Sequence, residues 1–120
     1  MDKLSQFENQ KYLKIETYRK NGQAVQTPVW FVRRETEFFI WTQAVSGKVK
    51  RLRNNPKVRI MPCGQRGEEK GEWVDTRGII VDTDEAQSAE KWFNQKYGLL
   101  FKIFALINRK HEIAVIKVVT

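Results

Sequence analysis

The chain has 120 residues, 41% hydrophobic and 30% charged, the balance of one folded domain with a single core rather than of a disordered segment. A lone cysteine, Cys63, and a lone histidine, His111, exclude an intramolecular disulfide and a Cys/His zinc site within one chain. The net charge is +8, and it is local: Phe38 to Gly67 holds Lys48, Lys50, Arg51, Arg53, Lys57, Arg59 and Arg66 with no acid, the pattern of a site for an anion.

In chain order, Leu4 to Lys11 reads as a short amphipathic helix. "YLKIETYR" then alternates as a strand, and Asn21-Gly22 marks a hairpin turn because both residues tolerate positive φ. "AVQTPVWFVR" is the return strand and "EFFIWT" a third. Pro28 lies inside the return strand and has no N–H to give to a ladder, so it puts that strand at an edge or a bulge, with something other than a strand facing it. At Ser46 the period changes. Ser46 is a good N-cap, Val49 and Leu52 lie a turn apart, and Asn54-Asn55-Pro56 closes a helix of about two turns.

"KVRIMPC" and "GEWVDTRGIIVD" return to strand character on either side of the loop "GQRGEEKG". Asp84 starts a helix, "DEAQSAEKWFNQKYG", with Ala86, Ala89 and Phe93 at helical spacing and Gly98 as its C-cap. "LLFKIFALINRK" is a second helix or turn, and "HEIAVIKVVT" the last strand. The expected fold is mainly β (α+β), residues 1–120 forming one six-stranded antiparallel barrel with a few short helices packed against it. No apolar run approaches the ~20 residues of a membrane span. "MDKLSQFENQ" lacks the apolar core and cleavage site of a signal peptide, so a cytoplasmic location is expected.

Lys48 and Lys50 fall in the first turn of the short helix, where the terminus makes a cation unfavourable by ~0.3 to 1 kcal/mol. An anion there reverses the sign. It can accept from the Ser46 hydroxyl and from free N–H groups near Gly47, while Lys48 and Arg51, three apart on one face, close round it. The same pattern also describes a solvated basic helix anchored by Val49 and Leu52. Trp30, Phe31 and Trp41 gather beside the candidate phosphate, which suits a planar ring carrying that phosphate; each is equally an ordinary core residue. Cys63 reads as a small core or pocket-wall residue and His111 as structural or surface. There is no Ser/His/Asp set and no carboxylate pair in a recognisable motif.

The order "TYRKNG", "TPVWF", "WT" with "SGKVKRLRNNPKV", "PCGQRG" and a late "KYG" resembles the flavin- and deazaflavin-binding split-barrel proteins of the pyridoxamine-phosphate-oxidase-like family, and is most similar to the small deazaflavin-dependent oxidoreductases. The resemblance runs from Tyr12 to Val118. It implies a six-stranded split barrel and a homodimer with two cofactor sites at the subunit interface. It further implies that Ser46, Gly47, Lys48 and Arg51 hold the cofactor phosphate, with Lys50 adding charge. Thr27, Pro28 and Val29 would line the ring edge with main-chain groups, and Trp41 and Thr42 would sit near the ribityl chain. Trp73, Lys96 and Tyr97 would reach in from the partner.

The cofactor expected first is flavin mononucleotide (FMN), with deazaflavin F420 as the alternative, to whose oligoglutamate tail Lys57, Arg59 and Arg66 are suited. The implied activity is hydride transfer to or from a small molecule, with no catalytic side chain assigned. A cofactor carrier without turnover shares the same site. A basic barrel binding single-stranded nucleic acid is the contrasting reading, disfavoured because the charge gathers at one helix start instead of spreading along a groove. A small barrel leaves no interior room for a three-ring cofactor. Trp30, Trp73 and Trp92 are therefore expected to form an apolar patch that a twofold partner buries.

Overall fold

The computed structural model of the chain describes residues 3–120. Among these, a short 3-10 turn over Lys3–Phe7 precedes β1 (Tyr12–Tyr18), β2 (Ala24–Trp30), β3 (Val32–Arg34) and β4 (Glu37–Gln43). Then come α1 (Gly47–Asn54), β5 (Lys57–Cys63), β6 (Val74–Ile80), α2 (Thr83–Tyr97), α3 (Leu99–Ile107) and β7 (Ile113–Val119). The strands form one antiparallel sheet in the order β2-β1-β5-β6-β7-β4-β3, coiled into a half-barrel. The strands number seven where six were expected.

The extra strand arises at Phe31. The return strand breaks there because Phe31 bonds to a tyrosine instead of a neighbouring strand: its N–H donates to the Tyr97 hydroxyl at 2.9 Å. Residues before the break pair with β1 and residues after it with β4, so one stretch of chain supplies both edges of the sheet. Pro28 is on the edge strand β2, opposite Lys14 of β1, where its missing N–H leaves no gap in a ladder.

Other departures are local. The expected helix over Leu4–Lys11 is only the 3-10 turn, burying Leu4 and Phe7, and the chain then bends at Asn9, whose φ is 61°. In the hairpin only Gly22 takes positive φ, 87°; the Asn21 side chain instead accepts from Gln23 N at 2.9 Å. α2 is capped by Asp82, which accepts from Glu85 N at 2.9 Å, so it starts ahead of Asp84. That leaves Asp84 and Glu85 in the first turn, where the helix dipole favours them. Gly98 ends α2 with φ 59°.

Two apolar clusters hold the fold. One fills the coiled sheet, with Leu13, Ile15, Phe38, Ile40, Val58, Ile60, Ile116 and Val118 at its centre, and Val49 and Leu52 of α1 join it. The second lies outside, where Ala89, Phe93, Tyr97 and Phe101 of the two later helices cover Phe39 and Val115. Cys63 is buried and His111 exposed.

α3 is bare on its outer side. Only Phe101 of its nine residues is buried, while Leu99, Leu100, Ile103, Phe104, Leu106 and Ile107 are exposed, Leu99 and Ile107 at 71%. The tryptophans expected to make such a surface are half-buried. Trp30 stacks on Tyr97 at 4.6 Å, Trp73 lies 4.5 Å from the Arg59 guanidinium, and Trp92 packs between Phe39 and Arg34. Among the described residues no helix is long and apolar enough to cross a membrane.

Candidate functional site

β4 ends at Gln43, and the next turn delivers Ser46 to the start of α1, with Ser46 N bonded to Gln43 O at 3.0 Å. The Ser46 side chain accepts from Val49 N at a long 3.4 Å. The first backbone bond of the helix runs from Lys50 N to Ser46 O, so the amides of Gly47 and Lys48 precede the helical ladder and are open to a ligand. Buried Val49 and Leu52 fix the opposite face. Gly78 of β6 makes room for Leu52, since a Cβ there would stand 2.8 Å from Leu52 Cδ2.

Arg51 folds back over this helix start, its Nε donating to Thr17 Oγ1 of β1 at 2.7 Å. Neither Arg51 nor Lys48 pairs with an acid among the described residues. Burial lowers the pKa of Lys48, with the charge of Arg51 as a second cause. Burial and then Arg19 do the same for Arg51. Three like charges are thus held together without a counter-charge, an arrangement that an anion would relieve.

Lys48 also lines a cleft of about 330 Å³. One wall is the free edge of β2 at Thr27, Pro28, Val29 and Trp30; the other is Trp41, Thr42 and Gln43 of β4. Phe101, Phe104 and Asn108 close it from the α3 side, and Asn108 Oδ1 accepts from Gln43 Nε2 at 2.8 Å. Of the residues expected from sequence, Thr27, Pro28, Val29, Trp41, Thr42 and Lys48 meet in this cleft. Ser46, Gly47 and Arg51 adjoin it through the first turn of α1, whereas Lys50 is exposed and outside the lining.

Trp73, Lys96 and Tyr97 do not line the cleft of their own chain. Tyr97 is buried, and its hydroxyl shares its proton between the carbonyls of Lys11 (2.7 Å) and Phe31 (2.8 Å); burial pushes its pKa up. Lys96 is exposed as a residue, yet its ammonium donates to Phe31 O at 2.8 Å and lies 3.6 Å from the Phe31 ring centre. Burial of that end lowers its pKa to about 8. Arg59, suited by sequence to an anionic tail, is engaged by Glu16 instead, through Nε to Oε2 at 2.5 Å and Nη2 to Oε1 at 3.0 Å.

Sequence reasoning did not find Tyr12, Gln43, Phe93, Phe101, Phe104 or Asn108 as cleft residues. For the two phenylalanines of α3 the one available signal was "LLFKIFALI", apolar on every side and therefore in need of more than one partner. No group of metal-ligating side chains is present among the described residues.

A family model described as pyridoxamine 5'-phosphate oxidase matches residues 1–119. Several solved structures share the fold. HutZ, the heme storage protein of Vibrio cholerae, is 15% identical with a TM-score of 0.74, over 97% of this chain and 85% of that one. A conserved hypothetical protein from Mycobacterium tuberculosis is 16% identical with a TM-score of 0.76, over 100% and 81%. General Stress Protein 26 from Bacillus anthracis is 15% identical with a TM-score of 0.68, over 98% and 84%. A comparison with the curated proteins gives no match.

Proposed function

The chain belongs to the pyridoxamine 5'-phosphate oxidase family, and from that premise we propose that it is an oxidoreductase holding FMN, with deazaflavin F420 as the alternative, and moving hydride to or from a small molecule. The observation that carries the reading is the pair Lys48 and Arg51, part-buried cations without an acid partner at the mouth of an aromatic cleft. The residues fit a phosphorylated planar ring. Lys48, Arg51 and the amides of Gly47 and Lys48 hold the phosphate. The main chain of Thr27 to Val29, unpaired on its outer edge, positions the ring. Trp41 and Phe101 keep water from its inner side. When bound, such a cofactor supplies the hydride chemistry itself.

Engagement of Arg59 by Glu16 removes one cation from the track that suits an oligoglutamate tail, which supports placing FMN first. The heme named for HutZ fits less well: the sole histidine, His111, lines a different hollow. A carrier without turnover would use the same contacts.

We further propose a cytoplasmic homodimer. The surface of 7412 Å² exceeds the roughly 6,800 Å² expected of a 14.2 kDa monomer, and α3 supplies an apolar face for a second copy. Since Lys96 and Tyr97 are bonded within their own chain, the interface rests on α3 and not on them.

The test is a visible-absorption titration with FMN, deazaflavin and heme in turn. Saturable uptake of FMN or deazaflavin, weakened by ~2 kcal/mol or more in a Lys48→Ala/Arg51→Ala double variant that stays folded, is expected, because charged hydrogen bonds contribute ~1.5 to 3 kcal/mol each. Equal affinity in the double variant would refute the site.

A further inference from the structure

Phe104 is 41% exposed, yet its ring contacts two indoles, 5.4 Å from Trp30 at 55° and 5.3 Å from Trp41 at 62°. The two indoles have supports of their own. Trp30 stacks on buried Tyr97 at 4.6 Å and 13°, and Trp41 meets buried Phe101 edge-on at 5.4 Å. Phe104 belongs to α3, the helix whose outer face is bare. Each indole is thus held by a neighbour other than Phe104, and Phe104 is a side chain that water already reaches.

We propose that the slot between Trp30 and Trp41 is a subsite for a flat, uncharged ring system of one or two fused rings, and that Phe104 is its internal stand-in, displaced when the ligand enters. Aromatic walls at offset and edge-on angles suit such a ring. The amide pair of Gln43 and Asn108, in the same cleft lining, can give one polar contact to a substituent. Lys48 belongs to the phosphate end of the cleft, so charge on the ring brings no gain. The inference rests on the cofactor reading for one point only: the bound ring is a hydride acceptor if the cofactor lies beside it. Its binding needs no cofactor.

The experiment is calorimetric titration of the wild-type chain, Phe104→Ala and Phe104→Trp with 2-naphthol, a flat bicyclic probe that does not accept hydride, and separately with FMN. Each variant is first checked for native near-ultraviolet dichroism, with Phe104→Leu in reserve should alanine at 104 loosen α3. Removing the plug should tighten 2-naphthol binding by about tenfold, since the competent state is then already open. Tryptophan at 104 should weaken it. Equal 2-naphthol affinity in all three chains, or weaker binding to Phe104→Ala, overturns the subsite. So does loss of FMN binding in Phe104→Trp, which would give the slot to the cofactor. If FMN binds to none of the chains while the 2-naphthol series holds, the cofactor reading falls and the subsite stands.

Discussion

The Arg51 guanidinium lies so close to Gly47 that a methyl group at position 47 would stand 2.6 Å from Nη1. Glycine at the helix start thus makes the seat of the arginine, which Thr17 fixes from the other side. Gly47→Ala should displace the guanidinium, the free end of a flexible side chain, and leave the fold intact. Thermal stability should hold or rise slightly, because alanine is favoured over glycine in a helix by up to ~1 kcal/mol. FMN affinity should fall about tenfold, the loss of one charge-assisted bond. Calorimetry with FMN, beside a melting curve, checks both; intact affinity would remove Arg51 from the phosphate site.

Glu16 is 1% exposed and accepts from Arg59, from Tyr18 at 2.5 Å and from Gln26 at 2.9 Å. The Arg59 bonds, more than the others, hold its pKa down at about 2 against an unperturbed 4.5. Because the folded value is the lower one, the stabilisation of about 3 kcal/mol is complete above pH 4.5 and is lost as the pH falls toward 2. Urea unfolding between pH 7 and 3 should show that slope, and Glu16→Gln should flatten it.

Arg59→Ala leaves the buried carboxylate without its partner and should cost about 3–5 kcal/mol at neutral pH. The neutral Glu16→Gln should cost less. If the two variants unfold at the same urea concentration, the pair does not have the energetics assigned to it.

Tyr97→Phe removes the acceptor of the Phe31 N–H at the point where the sheet changes edges. A buried donor left without a partner costs about 1–3 kcal/mol, so the variant should unfold at lower denaturant while binding FMN as the parent does. A selective loss of FMN affinity would show that Tyr97 acts on the cofactor.

Leu99 and Ile103 lie one turn apart on the bare face of α3. Leu99→Lys/Ile103→Lys should turn a dimer into a monomer in sedimentation equilibrium at micromolar concentration, and reduce FMN affinity with it. A parent chain that sediments as a clean 14.2 kDa monomer and still binds FMN tightly would exclude an interface site.

The sequence determined by itself what depends on a few neighbouring residues. The alternation in "VDTRGII" reappears as Val74, Thr76 and Gly78 buried against exposed Asp75, Arg77 and Ile79. Pro28 announced an edge strand through its missing N–H, and Ser46 and Gly98 marked helix ends. The tertiary structure decided what depends on sheet order and register. Phe31 divides one apolar run into two strands because Tyr97, 66 residues on, takes its N–H. Arg59 meets Glu16 across 43 residues because β5 lies beside β1, and so an arginine that looked free for a ligand is bound in the fold. α3 closes the cleft for the same kind of reason: an apolar helix can turn any of its sides inward, and only the packing of Phe101 against Phe93 and Trp41 chooses which phenylalanines face the site and which leucines are left exposed.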